Sequence, residues 1–294
     1  MNDGNDMITG RSAASEDQAS ADAAEDIHIQ GGGFLLELSA DWLILRASEN
    51  IHAFLGKYPA TLIGAPLATF TRAQPLHDLR NSLSRQRSHT GIARAYRIPL
   101  ADGARPHDMA FQLVEGRILL EAVPSAEEGV GDSLGAVSRL LDGLFAATGR
   151  QQLLDGAARR MRALTGFDSV TLTLGSDCAT SSRSACEPRP ATSGTSALPA
   201  IISDTGVKPV ALFPRSPEDV AVGSALLRSP PTAQLDTLRA AGIRSMLNVP
   251  LMHGGEIVGG FECDNFTVRT TSIELHAAAE LFAQVVAMRL DAKA

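Results

Sequence analysis

The sequence predicts an α+β protein of two domains, each an antiparallel sheet with flanking helices. Three observations carry this expectation. The chain has 294 residues, enough for two hydrophobic cores. A polar, glycine-containing linker, SAEEGVGD at 125–132, divides it. The third is a pair of hairpin patterns. Residues 92–123 read as a three-stranded meander, and Leu226–Asn265 reads as a helix followed by a hairpin.

The elements follow in order. Residues 1–26 are rich in Ala, Ser, Asp and Gly without apolar periodicity, and are expected to be a disordered acidic segment. Residues 27–124 form the first domain. Gly33–Leu38 and Trp42–Ser48 read as strands, and Asn50 as the N-cap of a short helix with Ile51, Phe54 and Leu55. A helix is expected around Leu76–Arg87, with Leu76, Leu79 and Leu83 on one face. Strands Ile92–Ile98, Asp108–Val114 and Arg117–Val123 close the domain, the last two joined at Glu115-Gly116.

Residues 133–294 form the second domain. Leu134, Val137, Leu140, Leu141 and Leu144 share one face of a helix from Ser133 to Thr148. A second helix spans Gln151–Leu164, and a strand spans Ser169–Leu174. Residues 175–200 carry almost no large apolar side chains and read as a loop. Leu235, Leu238 and Ala241 recur at spacing three before Gly242, a helix with its terminating glycine. Strand-like runs flank Gly254-Gly255, a hairpin signal. A final amphipathic helix spans Ser272–Leu290.

Charge narrows the function. Seven acids against Arg11 place −6 of the net −7 within residues 1–26, leaving −1 on the folded body. A nearly neutral body has no general attraction for phosphates, so nucleic acid is not an expected partner. No apolar run reaches the length of a membrane span and no secretory signal opens the chain, so a cytoplasmic protein off the membrane is expected. Cys178, Cys186 and Cys263 are an odd set without metal-ligand spacing, as for reduced thiols. There is no nucleophile–base constellation and no phosphate-binding glycine loop, so the chain reads as a non-enzyme.

Leu227-Arg228-Ser229, the prolines after it, Ser245-Met246, Gly254-Gly255 and the strand ending Cys263-Asp264-Asn265 carry a resemblance. The stretch is similar to the chromophore-binding GAF domain of bacterial phytochromes. Leu164-Thr165-Gly166-Phe167-Asp168 matches the start of that domain's first core strand, and residues 27–124 resemble the PAS domain before it. Ile27-His28-Ile29-Gln30-Gly31 resembles the Ile-His-Ile-Pro-Gly segment that, in the family, threads through a loop of the GAF domain. The resemblance implies a PAS–GAF module without the following PHY domain.

The same resemblance implies that the bilin chemistry is altered. Gln234 stands where the family has its pocket histidine, and Cys263-Asp264-Asn265 where it has Cys-His-His. The family's two thiol positions are occupied by Asp22 and Leu235, neither of which forms a thioether. The Pro-Ala-Ser-Asp-Ile-Pro motif, whose aspartate contacts the bilin nitrogens, has no counterpart in 175–200. The cofactor-binding candidates are therefore the degenerate pocket positions Gln234, Asp264 and Cys263, with no catalytic or metal residue. The expected function is a sensory or regulatory protein of signal transduction without covalent bilin and with no resident cofactor. It would act through a homodimer or a signalling partner. The alternative is a photoreceptor holding biliverdin non-covalently, with Asp264 as substitute counter-ion. A haem sensor using Cys263 is a third reading. The apolar stripes of the two long flanking helices predict a homodimer through some of Leu140, Leu144, Leu281, Val285 and Met288.

Overall fold

The structure is a computed structural model that describes residues 28–84, 91–100, 105–125, 133–145, 149–183, 200–215, 222–270 and 272–291. The expected disordered segment 1–26 and position Asp22 lie outside the described residues. The first half contains β1 (Phe34–Leu38), β2 (Ile44–Ser48), α1 (Ile51–Leu55), α2 (Pro59–Leu62), α3 (Ala73–Ser84), β3 (Ala93–Ile98), β4 (His107–Val114) and β5 (Arg117–Pro124). The second contains α4 (Ser133–Phe145), α5 (Arg150–Thr165), β6 (Ser169–Leu174), β7 (Asp177–Ser182), β8 (Ile201–Ile202), β9 (Leu212–Phe213), α6 (Thr232–Ala240), β10 (Ser245–His253), β11 (Glu256–Asn265) and α7 (Ile273–Asp291). No described helix is long and apolar enough to cross a membrane.

Two antiparallel sheets organise these elements, in the orders β3-β4-β5-β1-β2-β9 and β7-β6-β11-β10-β8. Each sheet covers its helices with alternate residues, as strand geometry requires. Phe34, Leu36, Leu38, Phe111, Leu120 and Ala122 form the inner core of the first sheet with Ile51, Leu62, Leu76 and Leu79. Both expected hairpins form. Glu115 and Gly116 have φ of 49° and 76°, and Gly254 and Gly255 have 59° and 90°, the paired positive values that tight hairpin turns need.

Two expectations are corrected, and one pairing was not anticipated. The interval 175–200 is not all loop, because Asp177–Ser182 pairs with β6 over its whole length. Its small polar side chains hid the strand; Ala179 and Ser181 are its buried residues. Residues 184–199 lie outside the described residues. Asn50 makes no capping bond; its Nδ2 donates instead to the Gly33 carbonyl at 2.8 Å. The short strand β9 belongs to the first sheet, pairing Leu212 with Ser48 and Phe213 with Ala47.

That last pairing ties the halves together. Residues 28–30 run between two limbs of the 210–229 region. Ile29 is fully buried and bridges Val210 on one side and Arg228 on the other. Gln30 N donates to Leu227 O, and Ser229 N to His28 O, both at 2.7 Å. A side chain on Gly33 would place its Cβ 2.4 Å from Ala122 O and 2.8 Å from Leu227 Cδ1, so only glycine admits this approach.

Candidate functional site

The sheet β7-β6-β11-β10-β8 has two faces of different chemistry. Val170, Leu172, Ala179, Leu247, Val249, Leu251, Phe261 and Cys263 pack with Leu153, Leu154, Met161, Phe282 and Val286 in one core. This is the face covered by α4, α5 and α7. The Phe261 and Phe282 rings lie 6.2 Å apart.

The opposite face is polar and largely buried, except at the edge strand, where Thr180 is exposed. Thr180, Thr171, Glu262 and Asn248 stand in one register row across β7, β6, β11 and β10. Ser169, Asp264 and Met246 form the next row. Glu262 is 2% exposed, Asp264 4%, Asn248 3% and Ser169 1%. Helix α6 covers one end of this face, where Leu238 packs with Ile202, Ile243 and Met246. Thr171 and Thr180 hydroxyls are 3.4 Å apart, and Ser169 Oγ, though buried, has no hydrogen-bond partner among the described residues.

The sequence candidates divide between these faces. Asp264 lies on the polar face, and Gln234 lies half-buried on α6, the helix whose Leu238 packs at one end of that face. Cys263 points the other way, into the helix-side core. Burial there pushes its thiol well above the ordinary range, and the neighbouring Asp264 carboxylate raises it further. Leu235, at one of the two thiol positions of the resemblance, is buried on α6. Cys178, on the edge strand β7, is exposed.

Sequence reasoning missed Glu262, Asn248 and Thr171. The signal was the alternation Glu262–Cys263–Asp264, which sends a second carboxylate to the side opposite Cys263. The charges Asp204 and Arg244 bond to each other instead. Arg244 Nη2 and Nε lie 2.9 and 3.2 Å from Asp204 Oδ1, which also accepts from Gly206 N and closes the turn. His276 is buried at the junction of the two halves, 3.6 Å from Glu280.

Two concavities lie elsewhere in the described residues. The cavity inside the first core, lined by Leu36, Ile44, Leu62, Leu67 and Leu120 among others, measures about 10 Å³, room for no more than a water. A groove of about 230 Å³ between α4 and α7 is lined by Leu134, Val137, Ser138, Leu141, Asp142, Leu281 and Val285. Among the described residues no His, Cys, Asp and Glu side chains cluster as a metal site.

Comparison with known proteins agrees with this architecture. A GAF domain model matches residues 149–290 and a PAS fold model matches residues 23–122. No curated protein matches the chain. Among solved structures, the chromophore-binding domain of the wild-type Stigmatella aurantiaca phytochrome superposes with TM-score 0.76 at 24% identity, covering 90% of this chain and 97% of that one. The chromophore-binding domain of an unusual bacteriophytochrome from R. palustris gives 0.75 at 23%, covering 90% and 95%. The Stigmatella aurantiaca photosensory core module gives 0.77 at 26%, and this chain covers 58% of its length.

Proposed function

We propose that this chain, a phytochrome-like PAS–GAF module, is a sensory or regulatory protein of signal transduction that no longer holds a bilin covalently. The observation that carries the reading is Leu235, a buried alkyl side chain at one of the two thiol positions that the resemblance implies, which forms no thioether. Cys263 stands at neither of those positions, and its thiol faces the helix-side core, raised by burial and without the accessible thiolate that a thioether needs. The expected role is non-enzymatic and cytoplasmic, with the output passed through a second copy or a signalling partner.

The dimer surface is the α4–α7 groove. Leu134 is 69% exposed, Met288 63% and Leu281 36%, and burying them between two copies removes apolar surface from water. Leu140 and Val285 are half-buried beside them. Leu144 is in the domain core at 1% exposure and drops out of the proposed contact.

A second reading keeps biliverdin as a non-covalent ligand, favoured by Asp264 on the polar face as counter-ion. Co-expression with a haem oxygenase separates the two. The leading reading predicts no red-absorbing, light-switchable band. Such a band without zinc fluorescence after denaturing electrophoresis establishes the second reading, and a fluorescent band overturns both.

A further inference from the structure

The outer face of the first sheet meets the second domain, and one carboxyl group lies at the centre of the contact. Arg94, Ala110, Glu121 and Leu35 stand in one register row across β3, β4, β5 and β1. Glu121 is fully buried. Its Oε1 accepts from Leu226 N at 3.0 Å and Gln112 Nε2 at 3.2 Å, and its Oε2 accepts from Leu227 N at 2.7 Å. Gln112 Nε2 also donates to Ser224 O at 3.1 Å, so two side chains of this sheet clasp the segment 224–227. That segment in turn holds the N-terminal stretch through Leu227 O to Gln30 N, and β8 through Leu226 O to Ile201 N.

All three donors to Glu121 are uncharged. The nearest cation in its row, Arg94, is bound to Glu280 on α7, with His276 Nδ1 3.5 Å from Arg94 Nη2. A buried carboxylate held only by neutral donors keeps a large part of its desolvation penalty. Burial therefore raises Glu121 to about 7, against the opposing pull of the Leu227, Leu226 and Gln112 bonds and the Arg94 charge.

We propose that Glu121 is a proton-linked clasp between the PAS and GAF domains, tightened by proton uptake and loosened by ionisation. The sign follows from linkage. An opened interface returns the carboxyl to water and its ordinary acidity, so the closed form binds the proton more tightly. Closure is fully favoured below the ordinary carboxyl range and loses that contribution as pH rises to about 7. The titratable or charged groups around this contact include Arg94, Tyr96, Asp108, Glu274, Glu280 and His276. His276 is lowered by burial, so its protonation opposes closure at acid pH. Its effect has the opposite sign to that of Glu121.

The test is hydrogen exchange in the full chain over the peptides containing Gln30 and Leu226–Leu227, from about pH 5 to 8 and corrected for chemical exchange rates. The ratio of wild-type to Glu121→Gln protection is expected to fall by at least about tenfold between pH 5 and 7, the His276 contribution being common to both proteins. Glu121→Gln is uncharged at every pH and keeps only the opposing His276 contribution. Equal slopes in the two proteins overturn the proposal. If Glu121→Gln does not fold, carbon-13 titration of wild-type glutamate carboxyls decides. One glutamate with a midpoint near neutrality supports the clasp, and titration of every glutamate in the ordinary acid range overturns it.

Discussion

The two faces of the GAF sheet are built from the same strands and are both buried over the central strands, yet they differ in chemistry. On one, Val170, Leu172, Leu247, Val249, Phe261 and Cys263 join α4, α5 and α7 in a continuous apolar core. On the other, Ser169, Thr171, Asn248, Glu262 and Asp264 are removed from water. Burying apolar surface stabilises by about 25 cal/mol per Å². Burying carboxylates and hydroxyls gives no such return and costs free energy unless every group is paired. The helix face is thus the part that folds the domain.

The comparison breaks most visibly on the helix face. Phe261→Ala should cost about 3–5 kcal/mol in denaturant unfolding, because it empties a fully buried site against Phe282. On the polar face, Ser169→Ala should raise stability by about 1 kcal/mol, since its buried hydroxyl has no described partner to lose. A destabilisation there would mean that Ser169 does structural work. On the outer surface, Leu134→Glu should change stability by less than about 0.5 kcal/mol while converting a dimer to a folded monomer in light scattering. A wild-type monomer at micromolar concentration would remove the α4–α7 groove from the account. Thiol labelling sharpens the contrast between faces. Cys178 should react with iodoacetamide in the native protein, and Cys263 only after unfolding.

Much of the architecture was legible because local pattern and tertiary demand agree. Ser169–Leu174 alternates cleanly and forms the expected strand. Gly254-Gly255 can serve only as a turn between two apolar runs. Helix starts were less legible: α3 begins at Ala73, ahead of Pro75, because proline is tolerated in a first turn, while the expected end at Arg87 lies outside the described residues. Strand β7 owes its existence to the free edge of β6, a partner its own serines and threonines do not announce. The PAS–GAF clasp was invisible for a similar reason. Nothing in Arg117–Pro124 distinguishes Glu121 from a surface residue until the segment 224–227 is laid over it.

The site was half legible. Gln234 and Asp264 were placed by resemblance, and the fold puts both on the α6 side. Cys263, their neighbour in sequence, faces away because one residue along a strand is one face of the sheet. Glu262 and Asn248 emerge only from the register of β10 against β11.

Intact mass spectrometry of the purified chain after incubation with biliverdin tests the central claim most directly. The account predicts an unchanged polypeptide mass under denaturing conditions, whether or not pigment associates with the native protein. A mass increased by one bilin, retained after denaturation and mapped to any cysteine, would contradict it.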